Sequence, residues 1–179
     1  MVKRKENGCV LWLPVLAAGA VLVSMSAQAD GPPRFADYPV PAVSTEKVKS
    51  IDLRNSKKAL NFKTAAREVI GRAPNFAGHY VVITQGCGTS CQAVALVEVT
   101  SGKVHVAPFS TALGSEFRTE SRLFIDSPTE NILEYYDGAI PRDRLFYSYY
   151  YEWDESRKEF RLIYRDEPKA SNNAPQPTR

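Results

Sequence analysis

From residue 79 to residue 164, apolar and polar side chains alternate with period two, in runs rich in Val, Ile, Tyr and Phe that polar turns separate. Alternation of this kind marks strands that keep one face in a core. The runs cover 79–85, 92–99, 103–107, 122–125, 132–136, 145–153 and 159–164. Thr100-Ser101-Gly102 joins the second run to the third as a tight hairpin, and the polar stretch 154–158 joins the last two in the same way. Connections this short imply antiparallel neighbours. The longer connection 109–120 is expected to cover one end of the sheet.

Upstream the period changes. Ala59, Phe62, Ala66, Val69 and Ile70 recur at three- and four-residue spacing with Lys58, Lys63 and Arg67 between them, which predicts an amphipathic helix over 56–72 that Gly71 and Pro74 end. The expected fold class is therefore α+β: one N-terminal amphipathic helix packed on a mainly antiparallel β-sheet of about seven strands, arranged as a meander, in a single domain over 51–168. The hairpin spacing also keeps a propeller blade open as an architecture, although no internal repeat is strong.

The flanks read differently. Residues 30–50 carry Pro32, Pro33, Pro39 and Pro41 and are expected to form an extended leader, since proline fixes φ and removes donors. From Lys169 the composition turns to Ala, Ser, Asn, Pro and Gln, which predicts a disordered tail over 169–179. At the N-terminus Lys3, Arg4 and Lys5 precede an uncharged stretch from Val10 to Met25 and then Ala27-Gln28-Ala29. That order is a secretory signal, so residues 1–29 are expected to be removed, the protein exported, and no transmembrane segment left behind. In a Gram-negative cell the destination is the periplasm. Cys9 precedes the apolar run and so is not a lipid-accepting cysteine.

Cleavage after Ala29 takes three basic side chains and Glu6 with it, lowering the formal charge from +3 to about +1 over a mature chain of 150 residues. A nearly neutral protein lacks the electrostatic basis for binding nucleic acid. Its length suits one domain with a core of its own.

The most distinctive stretch is Pro74-Asn75-Phe76-Ala77-Gly78-His79-Tyr80, then an apolar run, then Gly86-Cys87-Gly88-Thr89-Ser90-Cys91-Gln92. From about Ser56 to Lys103 the chain resembles a family of uncharacterised exported bacterial proteins, in which a helix precedes an Asn-Phe-Ala-Gly-His-Tyr segment, a strand and a Gly-Cys-Gly-Thr-Ser-Cys turn. The resemblance implies export and supplies no activity.

In an exported chain Cys87 and Cys91, three residues apart around Gly88, are expected to form a disulfide that closes a turn. A loop so short removes little unfolded-state entropy, so the bridge shapes the turn more than it stabilises the domain. The alternative is a thiol-disulfide redox role for Cys87 and Cys91, but redox pairs usually have two intervening residues at a helix start. Cysteine-protease patterns fail on spacing: Gly86 and Thr89 break the caspase segment, and His105 is only 14 residues beyond Cys91. His79 shares a strand face with Val81, Ile83, Gln85 and Cys87 by alternation, making it a candidate functional neighbour of the disulfide. His79, His105 and the cysteines match no closed zinc pattern, so no metal and no cofactor are expected. Ser90 lacks the second glycine of a nucleophile elbow. Carboxylate pairs such as Glu134 with Asp137, or Asp126 with Glu130, would serve a glycosidase only at about 5 to 10 Å.

In the run 145–153, alternation puts Leu145, Tyr147, Tyr149, Tyr151 and Trp153 on one face and Phe146, Ser148, Tyr150 and Glu152 on the other. Tyr147, Tyr149, Tyr151 and Trp153 are the candidate binding surface, with rings suited to stacking on sugar or anchoring a protein. Together these readings predict a non-catalytic exported binding or inhibitory protein, with an envelope protein or peptidoglycan as partner.

Overall fold

The computed structural model describes residues 31–141 and 143–166, so the expected signal at 1–29 and the tail at 169–179 lie outside the described residues. The chain is mixed helix and sheet. Three antiparallel strands form one meander, β1 (Tyr80–Gly88), β2 (Cys91–Glu98) and β3 (Val104–Thr111). A second antiparallel sheet runs in the order β4 (Ser115–Phe117), β5 (Leu123–Asp126), β6 (Tyr149–Asp154) and β7 (Glu159–Arg165).

The expected single sheet of seven strands is thus corrected to two sheets of three and four. Burial gives the reason. Val94, Ala95, Leu96 and Val97 of β2 are all buried, as are Leu123, Phe124 and Ile125 of β5, so both faces of each sheet need cover that one helix cannot supply. On β1 and β2, Val81, Ile83, Ala95 and Val97 pack with Ala59, Phe62, Ala66 and Val69. Their opposite faces place Tyr80, Val94 and Leu96 against Phe124, Trp153 and Phe160 of the second sheet. The far face of that sheet buries Leu123, Ile125 and Tyr150, with Phe35 and Tyr38 of the leader packed on them.

Two expected elements change type. Instead of one amphipathic helix over 56–72 there is a six-residue 3-10 helix, Lys57–Phe62, running into the five-residue α1, Lys63–Arg67. Ser56 caps the start by accepting from the Lys58 N–H at 3.2 Å. The apolar stripe is real, since Ala59, Phe62, Ala66 and Val69 are buried, but Ile70 is 50% exposed. Steps of three residues in that stripe suit the tighter 3-10 winding, and Val69 and Ile70 donate to carbonyls three residues back. The run 132–136, expected as a strand, lies in α2, Thr129–Tyr135. Of its residues only Ile132 is buried, and Glu130 sits in the first turn where it favours the helix dipole. The short β4 falls inside the connection 109–120 that was expected to be a loop.

The proline-rich leader is strapped to the body. The Val40 N–H donates to the Glu120 carbonyl at 3.0 Å, and the Arg122 N–H to the Tyr38 carbonyl at 2.8 Å. Further on, Ser44 donates to the Gly78 carbonyl at 2.8 Å, Val48 to Arg72 at 3.0 Å and Asp52 to Gly102 at 2.8 Å. Val48 is buried in the first core. Glycine is required at two of these crossings. A Cβ on Gly78 (φ +79) would sit 2.4 Å from the Ala42 carbonyl oxygen, and one on Gly102 (φ +70) would sit 2.1 Å from that of Ser50. Gly78→Ala is therefore expected to cost about 3 kcal/mol in urea unfolding, through both φ strain and the displaced leader. A cost under about 1 kcal/mol, within the range of ordinary surface changes, contradicts this docking.

Candidate functional site

The Asn75–Tyr80 motif is a turn that ends in a polar cluster. Phe76 and Tyr80 exchange main-chain hydrogen bonds, at 3.0 and 3.1 Å, across Ala77 (φ +44) and Gly78 (φ +79). The Phe76 ring packs between Phe117, Phe124 and Phe160, with centroids 6.2, 6.0 and 5.9 Å away. This anchor delivers His79 and Tyr80 to the β6–β7 turn, where Asp154 accepts from the Ser156 N–H at 2.9 Å and the Arg157 N–H at 3.1 Å.

From that turn Glu155 reaches into the gap between the sheets. It accepts from the Tyr80 hydroxyl at 2.9 Å and from the Trp153 indole at 2.9 Å, and lies 3.2 Å from His79 Nε2. The Lys158 ammonium donates to Glu155, to Glu98 at 3.1 Å and to the Tyr80 oxygen at 2.7 Å. Ser101 also donates to Glu98. His105 closes the apolar side, its ring edge-on to Tyr80 at 6.0 Å and to Trp153 at 5.8 Å.

Protonation states follow from these contacts. Burial alone would raise both carboxyls, but Glu98 is held below its usual value by Ser101 and Lys158, and Glu155 by Lys158, Trp153 and Tyr80. Burial pushes the Tyr80 phenol up, with the Glu155 charge adding to it. Burial would lower Lys158, yet its hydrogen bonds to Glu155, Tyr80 and Glu98 raise it. Burial lowers His105. Each of these groups is shifted to titrate further from neutral pH, the reverse of what a general acid or base requires. His79, Glu98 and Glu155 offer ligand atoms within 4.8 Å of one another, but the Lys158 ammonium already supplies a cation to both carboxylates. A metal would have to displace it. The arrangement is an ion lock between two sheets.

At the other end of β1 lies the second feature. Cys87 and Cys91 are bridged, with Cα atoms 5.1 Å apart, across a turn in which Ser90 has φ +50. Thr84 to Ser90 are all exposed and, like Cys91 and Gln92, carry no charge. The hairpin end therefore projects from the body as a neutral, covalently closed tip.

The expected site residues are not one site. His79 precedes β1 and Cys87 lies near its far end, about 25 Å away at the rise of a strand, so the expected pairing of His79 with the disulfide is corrected. Of the expected aromatic surface, Trp153 and Tyr151 pack into the core between the sheets, whereas Tyr147 and Tyr149 are half-buried. Trp153 is 1% exposed and Tyr151 stacks on Phe109 with centroids 3.9 Å apart. The Arg144 and Arg165 guanidinium groups lie over the Tyr147 ring at 4.4 and 3.9 Å, and Arg165 is 5.6 Å from Tyr149. β6 itself begins only at Tyr149, leaving Leu145 78% exposed outside it. Asp126 is buried and raised by that burial, whereas Glu130 is exposed, as are Glu134 and Asp137.

Tyr80, Glu98, Glu155 and Lys158 escaped the sequence reading. Lys158 meets Glu98 and Tyr80 from 60 and 78 residues away, and the only local signal was the three-residue spacing of Glu155 and Lys158 in a turn. Among the described residues no helix is long and apolar enough to cross a membrane. Comparison of the chain with protein-family models, curated proteins and solved structures finds no match in any of the three.

Glu155→Gln is expected to lower stability by about 1 kcal/mol in urea unfolding, because Lys158 loses a charged partner in a half-exposed cluster where solvent screens the pair. No measurable loss would mean that the lock is not formed in solution. The pH dependence has a definite sign. Carboxyls whose folded values lie below the usual 4.5 give full stability above it and lose that stability as pH falls through the folded values. Asp126, raised above 3.8, opposes them alone. Urea midpoints should begin to fall below about pH 6.5, where the unfolded chain takes up a proton on His105 before the folded one does, and fall further below 4.5; Glu98→Gln with Glu155→Gln should flatten the second part of that fall.

Proposed function

We propose that this chain is a non-catalytic exported binding or inhibitory protein of the cell envelope, which reaches an envelope protein or the peptidoglycan with the disulfide-closed tip of the β1–β2 hairpin. The exposed, uncharged segment Thr84–Ser90 carries this reading. A bridged turn on a packed hairpin is ordered before it meets a partner, so binding costs little further conformational entropy. The secretory pattern of residues 1–29 supports a meeting outside the cytoplasm. The electrostatics of the Glu155 cluster favour a mechanical role for it, holding the hairpin's base against the second sheet.

The redox alternative keeps one observation in its favour, the exposure of Cys87. A reduction potential below about −300 mV identifies a structural bridge and removes it.

For the binding reading, the chain purified from the exported fraction is tested by sedimentation with peptidoglycan and by capture of envelope proteins. Charge at the tip, as Thr89→Glu with Ser90→Glu, is expected to weaken whichever interaction is seen by about tenfold or more. No interaction in either assay, or one indifferent to the tip, contradicts the proposal.

A further inference from the structure

The register of β1 decides where its main-chain groups point. Val99 donates to the His79 carbonyl at 3.0 Å, and the ladder continues with Val81 opposite Val97 and Ile83 opposite Ala95. Odd-numbered residues therefore bond to β2, and even-numbered ones turn their N–H and C=O groups to the free edge. The sheet order places β1 at that edge.

The first part of the edge is closed by the Asn75–Tyr80 motif. Tyr80 donates to the Phe76 carbonyl at 3.0 Å and accepts from the Asn75 and Phe76 N–H groups at 2.9 and 3.1 Å. The Val82 N–H is taken by the Asn75 side-chain oxygen at 2.8 Å. There the cover stops. Among the described residues no hydrogen bond is recorded to the outward N–H or C=O of Thr84 or Gly86. An open edge is ordinarily blunted by Lys, Pro or an inward charge. From Tyr80 to Gln92 the chain has no charged residue and no proline, and the bulge between Gly86 and Gly88 lies beyond the open stretch.

The layer above this edge is basic. α1 packs over β1, while the preceding 3-10 helix packs over β3. Between residues 57 and 72 the chain carries Lys57, Lys58, Lys63, Arg67 and Arg72 against Glu68 alone. All five cations are exposed, and none belongs to an ion pair recorded among the described residues. In a nearly neutral exported chain this is a concentrated positive surface beside a row of unpaired main-chain groups. Two copies joined edge to edge as antiparallel strands, by a two-fold axis perpendicular to the sheet, would bring both α1 segments to the same face, where their charges repel.

We propose that the outer edge of β1, from Val82 to Gly86, takes an extended acidic peptide segment of a partner protein as an added strand. The peptide's main chain pairs with Thr84 and Gly86. Side chains on one of its faces carry carboxylates toward Lys63 and Arg67, and those on the other meet Val82 and Thr84. This rests on the binding reading above and names the partner's chemistry.

The probes are fluorescent nonapeptides alternating Val or Thr with Glu, the same peptides with Lys for Glu, and Glu peptides N-methylated on one edge, titrated against the whole exported chain by anisotropy. The Glu peptides are expected to bind, more weakly as salt rises, and the other two sets to bind at least about tenfold more weakly. Thr84→Pro removes an outward donor without touching the β2 ladder, and should reduce binding by about tenfold or more. Lys63→Glu with Arg67→Glu leaves β1 intact and should do the same, which keeps the test decisive if Thr84→Pro does not fold.

Equal binding of Lys peptides, undiminished binding to folded Thr84→Pro, or no peptide binding overturns the proposal. A dimer in sedimentation that Thr84→Pro abolishes assigns the edge to a second copy and overturns it too. Capture of an envelope partner that depends on Thr89 and Ser90 but not on Thr84 leaves the tip reading standing and sinks the edge alone.

Discussion

The Glu155 carboxylate is the point on which the two sheets agree. It gathers a phenol from β1, an indole from β6 and an ammonium from its own turn, and Lys158 extends the contact to Glu98 at the end of β2. Apolar packing of Tyr80, Trp153, Phe124 and Phe160 supplies the bulk of the inter-sheet contact, but such packing tolerates sliding. Directed hydrogen bonds to one carboxylate do not. They fix the base of the β1–β2 hairpin, and hence the direction in which its bridged tip and open edge face.

The Asn75–Tyr80 motif then has a structural explanation in every position. Asn75 caps the edge, Phe76 fills the inter-sheet core, Ala77 and Gly78 make the turn beneath the leader, His79 lies 3.2 Å from Glu155, and Tyr80 enters the lock. Its chemistry is spent on geometry. What remains outward is downstream: the unpaired main chain at Thr84 and Gly86, the tip at Thr89 and Ser90, and the basic layer of α1.

Strands were legible where both the period and the turn chemistry spoke, as in β1, β2 and the β6–β7 hairpin with its Asp154 turn. The helix at 56–72 misled because a stripe at three- and four-residue spacing fits 3-10 and α winding alike. The run 132–136 misled because Ile and Tyr favour strands, and the helix start at Pro128 to Glu130 overrode them. The aromatic run misled at Tyr151 and Trp153 for a different reason. Alternation identifies which residues share a face, not which face a second sheet will cover, and here Tyr151 and Trp153 face the covering sheet. The lock was invisible because hydrogen-bond partners of Lys158 that lie 60 and 78 residues away leave no local pattern.

Residue-resolved amide hydrogen exchange along β1 tests the central claim, a hairpin locked at its base and open along its distal edge. The account predicts slow exchange at Tyr80, Val81, Val82, Ile83 and Gln85, and fast exchange at Thr84 and Gly86, whose N–H groups face away from β2. Protection at Thr84 and Gly86 equal to that at Ile83 would show the edge already covered and contradict the account.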